Sequence, residues 1–144
     1  MGRGRATEMI VVDTSAIVAI ALGEPERQQF VRIIERVEKA LVSTVSAVEA
    51  RMVVHGRRGQ RAVVLLNDLL RLPNFELIAP DTSEADAAYA AFVTYGRGSG
   101  HPAGLNFGDV FSYALAKVRG LPLLYKGADF AQTDILSAVV AISE

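Results

Sequence analysis

Short apolar runs alternate along the chain with longer segments whose apolar residues recur at helical spacing. The run MIVV (Met9–Val12) is rich in β-branched residues and ends at Asp13, and the segment TSAIVAIALGEPE follows directly. This pattern predicts a buried strand that leads into a helix. From residue 25 onwards, apolar positions separated by charged ones predict a second helix that reaches about Lys39.

The rest of the chain repeats this alternation. The predicted elements are strand 40–43, helix 43–72 with an interruption at Gly56 and Gly59, strand 75–79, helix 80–96, a glycine-rich loop at 96–108, helix 108–119, strand 121–126 and a final turn at 127–135. Strands that alternate with helices through short connections predict an α/β fold. We expect one domain with a mainly parallel central sheet of four to five strands and helices on both faces.

Composition narrows the class of protein. About half of the 144 residues are hydrophobic, which fits one globular domain over residues 9–144. We interpret residues 1–8, which are basic and glycine-rich, as a disordered leader or the result of a start codon assigned upstream of Met9. The absence of cysteine excludes disulfides and thiolate metal sites and is compatible with a reducing cytoplasm. No apolar run approaches the roughly 20 residues of a membrane span, so we expect a cytoplasmic protein without a membrane partner.

Four acidic residues lie where predicted strands end or neighbouring helices begin. Asp13 closes the first strand, Glu49 lies in the first turns of the helix after the second, Asp109 opens the helix before the fourth, and Asp129 follows that strand. Each has an ordinary structural interpretation, because the segments ending at Glu49 and Asp109 resemble capping boxes and the other two acids could cap turns. For any one of them alone, this structural interpretation is favoured.

Taken together, the four acids favour a metal site. The carboxyl ends of neighbouring parallel strands meet at one edge of a sheet, where ligands bind in folds of this class. Carboxylates gathered there without a cation would repel one another and raise one another's pKa. Hard oxygen ligands favour Mg²⁺ or Mn²⁺ over Zn²⁺, and such an ion suits the hydrolysis of a phosphodiester by water.

These motifs resemble the PIN-domain ribonucleases, specifically the VapC-type toxins of toxin–antitoxin pairs. The matching segments are MIVVDTSAIVAI, the acidic residue of STVSAVEA, LNFGDVFSYALAK and LPLLYKGADFAQTDI, in this order. The resemblance runs from Met9 to about Ile135. It implies an endonuclease that cleaves RNA with Mg²⁺ or Mn²⁺, a cognate VapB-type antitoxin that docks in a groove of the N-terminal helices, and a homodimer. The apolar residues of the first two helices fit core packing equally well.

The resemblance also assigns roles to individual residues. The catalytic and metal-binding acids would be Asp13, Glu49, Asp109 and Asp129. Two hydroxyl residues after the first acid, and one acid in the final turn, are candidates for the outer shell: Thr14, Ser15 and Asp134. At Ala128 the chain departs from the family, which often has a polar or acidic residue there, and Asp129 is then the only acid of its turn.

Basic residues are weaker candidates for contact with RNA. Arg97 and Lys126 lie near the acids in the sequence and are candidate contacts to phosphate. The arginine-rich interval 51–72 predicts either a phosphate-binding surface or an ordinary solvated helix face. We expect His55 and His101, which are isolated histidines, to be surface or loop residues rather than metal ligands.

Two other functions compete with the ribonuclease hypothesis. A haloacid dehalogenase-type phosphatase also begins with an apolar strand that ends in aspartate, but it needs Asp-x-Asp, and here Ser15 occupies the second position. A catalytically inactive PIN module that binds RNA or a protein partner is the remaining alternative. The sequence does not encode which RNA would be cut.

Overall fold

Four parallel strands form the central sheet of the computed structural model, which describes residues 8–142. The sheet order is β3-β2-β1-β4, and Val11 of β1 lies opposite Leu41 of β2 and Leu123 of β4. The strands are β1 (Met9–Val12), β2 (Lys39–Ser43), β3 (Phe75–Ile78) and β4 (Leu123–Leu124). The predicted parallel α/β fold is thus confirmed, with four strands. The predicted leader, residues 1–8, lies outside the described residues except for Glu8.

Helices cover both faces of this sheet. Successive strand residues point to opposite sides, so apolar side chains of each strand pack against helices on both faces. Ile10 and Val12 of β1 belong to one hydrophobic core, and Val11 belongs to the other. Helices α1 to α4 and α7 pack on the first core, while α5 and α6 pack on the second. The helices are α1 (Thr14–Ala21), α2 (Arg27–Glu35), α3 (Thr44–Arg58), α4 (Gln60–Leu70), α5 (Thr82–Tyr95), α6 (Phe107–Arg119) and α7 (Ala138–Ile142), with a 3₁₀ turn at Phe130–Gln132.

The second helix is shorter than predicted. It ends at Glu35 rather than near Lys39, which is already the first residue of β2. The backbone N–H of Glu38 donates to the carbonyl oxygen of Glu8 at 2.8 Å, immediately before β2 pairs with β1. Strand pairing therefore overrides the helical pattern in this segment.

The capping box predicted for Ser46 and Glu49 is wrong. Helix α3 begins at Thr44, and the side chain of Ser43 caps it by accepting from the backbone N–H of Val45 at 3.2 Å. Ser46 is instead fully buried, and Glu49 lies in the second turn of the helix. The helix also continues through Gly56 and ends before Gly59, whose φ of +82° favours glycine.

The fourth strand is also shorter than predicted, with two residues instead of the expected 121–126. The chain leaves β4 at Tyr125, at the same edge of the sheet where β1 ends before Asp13 and β2 ends at Ser43. Three strand ends therefore open onto one site. Within residues 8–142, none of the helices combines the length and apolar character required to cross a bilayer.

Candidate active site

Asp13 links the end of β1 to the start of α1. As the N-cap of α1, it accepts from the backbone N–H of Ser15 at 2.9 Å and from the Ser15 hydroxyl at 2.7 Å, both through Oδ2. Its side chain is almost completely buried, and Oδ1 has no hydrogen-bond partner. Burial raises the pKa of this carboxyl, while the nearby hydroxyl of Ser112 and the hydrogen bonds from Ser15 lower it. The cost of burying this charge is therefore only partly offset, through Oδ2.

Asp109 sits in the first turn of α6 and closes a capping box with Asn106. The backbone N–H of Asn106 donates to Asp109 Oδ2 at 3.0 Å, and the backbone N–H of Asp109 donates to Asn106 Oδ1 at 2.8 Å. Burial, as the largest cause, and the charges of Asp13, Glu49 and Asp129 together raise the pKa of Asp109 to about 6 against the lowering effect of the Asn106 bond. The three other predicted acids are thus close enough to act on Asp109.

Glu49 reaches this site from α3. Its Oε1 accepts from the hydroxyl of Thr14 at 2.8 Å, and that hydroxyl also lies 3.2 Å from the carbonyl oxygen of Ser46. The carboxylate packs directly on Gly108, where an added Cβ would lie 2.6 Å from Glu49 Cδ. Glycine at 108 therefore leaves the space that the Glu49 carboxylate occupies beside Asp109.

A cavity of about 400 Å³ collects these groups. Asp13, Glu49 and Asp109 line it, together with both predicted hydroxyl residues, Thr14 and Ser15. Asp129 lies outside its lining, on an exposed turn before the 3₁₀ turn, although its charge still raises the pKa of Asp109.

Two buried serines lie beneath the acids, and the sequence did not predict that they meet there. The hydroxyls of Ser46 on α3 and Ser112 on α6 are 2.9 Å apart and fully buried, so they join the two helices that carry Glu49 and Asp109. Ser112 also lowers the pKa of Asp13. The available signal was its spacing from Asp109, since residues three apart share a helix face.

An ionic network lies at the rim of the cavity, and of its members the sequence analysis had named only Lys126 as a candidate. Lys126 Nζ lies 2.8 Å from Glu24 Oε1 and 3.4 Å from Glu26 Oε1, and Arg57 lies 3.4 Å from Glu24 Oε2. The bond from Lys126 lowers the pKa of Glu24, although the pair is largely solvated. The backbone N–H of Lys126 also donates to the Ser15 hydroxyl at 2.9 Å, which connects the rim to Asp13.

The side chain of Asp134 forms its contacts away from the acidic cavity. The hydroxyl of Tyr113 donates to its Oδ1 at 2.6 Å, and Lys117 Nζ lies 2.7 Å from its Oδ2. Asp134 neither lines the cavity nor bonds to the acids there, and Lys117 offsets its charge. No contact supports its predicted outer-shell role.

Most of the other basic and histidine candidates also lie elsewhere. Arg97 lines a separate, apolar cavity between α5 and α6. Of the arginine-rich interval, Arg51 donates to Asn67, Arg71 pairs with Asp68, and Arg57 lines the acidic cavity. His101 accepts from Ala103 N–H at 3.0 Å in its loop, and His55 is exposed on α3.

The donor set of the acidic cavity fits a hard divalent cation. Asp13, Glu49 and Asp109 each commit one carboxylate oxygen to a hydrogen bond from the protein, and the second oxygen of Asp13 is buried without a partner. Among residues 8–142, no three acidic or histidine side chains are grouped closely enough to hold an ion as they stand. Binding would therefore require a side-chain movement, for which Glu49 has the longest chain.

Comparisons with known proteins found a matching family, similar sequences and similar folds. A family model described as the PIN domain matches residues 10–136. The ribonuclease VapC30 of Mycobacterium tuberculosis is 45% identical over 133 residues, covering 92% of this chain and 99% of that one. The crystal structure of Mycobacterium tuberculosis VapC20, described as a sarcin–ricin loop cleaving toxin, covers 88% of this chain and 96% of that chain, with a TM-score of 0.73 and 18% identity. VapBC2 of Rickettsia felis, bound to a fragment of promoter DNA, covers 90% and 96%, with a TM-score of 0.67 and 13% identity.

Proposed function

This chain belongs to the PIN domain family, among the VapC-type ribonucleases, and we propose that it is a metal-dependent endoribonuclease that acts as the toxin of a VapBC-type pair. The observation that carries the proposal is the buried carboxylate of Asp13, whose Oδ1 has no hydrogen-bond partner, beside Asp109 and Glu49 at the edge where three parallel strands end. Such a site favours a cation and the phosphate that the cation attracts.

Each residue of the site has a distinct task in this proposal. Asp13, Asp109 and Glu49 hold the ion, which is Mg²⁺ or Mn²⁺ because all the donors are carboxylate oxygens. Asp129, which is exposed, completes the shell or holds a second ion. Thr14 orients Glu49 through its hydroxyl, and Ser15 fixes Asp13 through two hydrogen bonds.

A bound divalent ion would polarise the scissile phosphate and lower the pKa of a water molecule for attack in line. The protein residues orient the carboxylates before substrate arrives, since the capping bond of Asp109 and the Ser15 bonds of Asp13 restrict both side chains. Attack by water rather than by the ribose 2′-hydroxyl leaves a 5′-phosphate and a 3′-hydroxyl on the products.

The catalytically inactive module is the less favoured alternative. All four acids are present, and the serines beneath them are satisfied by each other. The partner in this proposal is a VapB-type antitoxin, by analogy with the toxin–antitoxin relatives, and the cytoplasm is where toxin, antitoxin and RNA would meet. Lys126, which lines the acidic cavity, remains a proposed RNA contact, whereas Arg97 does not line it.

The decisive experiment is cleavage of total cellular RNA by purified, antitoxin-free protein. Reactions with Mg²⁺, with Mn²⁺ and with EDTA would run beside an Asp109→Asn preparation made in the same way. We expect discrete, metal-dependent fragments with 5′-phosphate ends from the wild type alone. The variant controls for contaminating nuclease.

Equal cleavage by both proteins would remove Asp109 from the site. No cleavage by either folded protein would favour the inactive module. Addition of Mn²⁺ should also raise the Tm of the wild type and leave that of Asp13→Asn unchanged. An equal rise in both proteins would place the ion elsewhere.

We also propose a homodimer, formed through the outer face of α5. Apolar residues recur there at helical spacing and are exposed, with Tyr89 at 70%, Phe92 at 47% and Val93 at 58%. The adjoining apolar cavity of about 510 Å³ gives this face both protruding aromatic rings and a recess, as a self-complementary twofold contact requires. Antiparallel pairing of two α5 helices about Tyr89 would bring Asp81 of one copy towards Arg97 of the other.

Light scattering after gel filtration tests this surface. Tyr89→Lys should convert a dimer into a folded monomer, because it places a charge at the centre of the contact. Leu65→Lys is the matched control, since Leu65 is exposed to 67% on α4. A monomeric wild type, or a dimer that survives Tyr89→Lys, would rule out this interface.

A further inference from the structure

Two cationic side chains face the acidic cavity from different elements. Arg57 comes from the last turn of α3, and Lys126 comes from the segment after β4, yet both line the cavity that contains Asp13 and Asp109. Both are tied to the same carboxylate, since Glu24 accepts from Lys126 Nζ at 2.8 Å through Oε1 and from Arg57 at 3.4 Å through Oε2. Glu24 thus holds a pair of cations at the rim of the proposed metal site.

These cations keep hydrogen-bonding capacity for another anion. A guanidinium has five N–H donors, and the bond from Arg57 to Glu24 is long at 3.4 Å. The side chains of Arg57 and Lys126 are exposed to 58% and 35%, so solvent or a ligand can reach both. Glu26 is a second, more distant partner of Lys126 at 3.4 Å.

Stability alone gives little reason for this arrangement. Ion pairs that are this exposed contribute little to stability, and salt screens them. A phosphate group is a stronger competitor than a carboxylate for such cations, because it offers more acceptor oxygens and its binding releases counterions from the nucleic acid. The network is therefore held weakly enough to exchange Glu24 for phosphate.

We propose that Arg57 and Lys126 form the binding site for an RNA backbone phosphate that neighbours the scissile phosphate, and that Glu24 holds both cations in place until RNA displaces it. This inference rests on the proposed ribonuclease function and adds a substrate subsite to it. Glu24 is a positioning residue that competes with the substrate, so its charge and those of the two cations have opposite effects on RNA affinity.

The experiment measures binding of a fluorescein-labelled oligouridylate by fluorescence anisotropy at salt concentrations between about 50 and 200 mM. Asp109→Asn protein with Mg²⁺ serves as the background, because it should bind without cutting, and wild type in EDTA repeats the series. We expect Arg57→Gln and Lys126→Gln each to weaken binding about three- to tenfold at low salt. Each should also reduce the slope of log Kd against log salt by roughly 0.7.

Glu24→Gln supplies the result that a structural role would not give. It removes the competing charge and retains the amide oxygen, so RNA should bind about two- to fivefold more tightly, as expected for the loss of one exposed ion-pair partner. If the network only supported the fold, Glu24→Gln and Lys126→Gln would lower the Tm together and leave RNA affinity unchanged. That outcome, or weaker RNA binding by Glu24→Gln, would overturn the proposal.

Matched controls lie at the opposite edge of the sheet. Arg71 follows α4 shortly before β3 begins, and Lys39 begins β2, so both lie near the amino ends of the strands. Arg71→Gln and Lys39→Gln should leave oligouridylate affinity within twofold of the parent. Affinity losses equal to those of Arg57→Gln and Lys126→Gln would show that overall charge, and not this site, controls binding.

Cleavage of total RNA separates failure of this inference from failure of the proposed function. In otherwise wild-type protein, Arg57→Gln and Lys126→Gln should raise KM and leave kcat within about twofold, because they contact substrate away from the reacting atoms. Metal-dependent cleavage that these variants leave unchanged would refute the phosphate subsite alone. A wild type that never cleaves RNA would refute the ribonuclease function.

Discussion

Gly108→Ala tests the geometry of the site with the smallest change. The added Cβ would lie 2.6 Å from Glu49 Cδ, far inside van der Waals contact, so the Glu49 carboxylate must move. That movement breaks the 2.8 Å bond from Thr14 and excludes the Glu49 carboxylate from its place beside Gly108. The first turn of α6 itself accepts alanine, because Gly108 does not require a positive φ.

The two effects on stability nearly cancel. Alanine in place of glycine in a helix contributes about 0.8 to 1 kcal/mol, while loss of one hydrogen bond costs about 0.5 to 1.5 kcal/mol. The Tm should therefore move by no more than about 4 °C. Activity should fall by about 10- to 100-fold, the range seen when groups that orient a metal ligand are removed.

The assay pairs RNA cleavage with thermal unfolding at several Mn²⁺ concentrations. Gly56→Ala is the control, since a Cβ at this helical position meets no atom within 4 Å. It should raise the Tm slightly and leave cleavage unchanged. Wild-type cleavage and an unchanged response to Mn²⁺ in Gly108→Ala would refute the placement of Glu49 against Gly108 as a requirement of the site.

Three further predictions concern the acids. Asp13→Asn should raise the metal-free Tm, since it removes a buried charge, and should abolish cleavage; a lower Tm by calorimetry would contradict the account of its burial. Because folding raises the pKa of Asp109 from 3.8 to about 6, the metal-free protein should gain stability as the pH falls from 6 towards 4. At a limiting metal concentration, cleavage should decrease below pH 6, because protons then compete with the ion for Asp109. Urea titrations in EDTA and pH–rate profiles measure these trends. If the Asp109→Asn variant gained the same stability as the pH falls, groups other than Asp109 would be responsible. Asp134→Asn should cost less than about 1 kcal/mol through its lost contacts to Lys117 and Tyr113 and leave the Mn²⁺ response intact; a lost response would restore Asp134 to the outer shell.

Local patterns were sufficient to predict that Asp13 and Asp109 lie at the same edge of the sheet. Asp13 ends an apolar run, and Asp109 follows an asparagine N-cap, so short-range physics encodes their positions at the sheet edge. The parallel sheet then follows from alternating elements and brings the strand ends together. The same local logic failed for Ser46, since a Ser-x-x-Glu spacing inside a helix resembles a cap when the true start, Ser43, lies a few residues earlier.

The rim of the site could not be predicted by this route. Glu24 is separated from Arg57 by 33 positions and from Lys126 by 102. Only Lys126 belongs to a motif, and that motif does not indicate its pairing with Glu24. Their meeting depends on how α3 and the segment after β4 pack beside α1. Asp134 shows the converse case, because the family resemblance suggested an outer-shell role, whereas its side chain bonds to Tyr113 and Lys117 of α6.

Asp109 shows that the structural and functional interpretations of one residue need not compete. Its Oδ2 closes the capping box with Asn106, and this bond orients the carboxylate and offsets part of the cost of burying it beside other acids. A substitution at position 109 must therefore distinguish the capping role of Asp109 from its negative charge. Asparagine at 109 retains an amide oxygen for the Asn106 N–H and removes only the charge, whereas alanine removes both. Loss of cleavage in Asp109→Asn with an intact fold would thus report on the metal site, while the same loss in Asp109→Ala could arise from an unravelled first turn of α6.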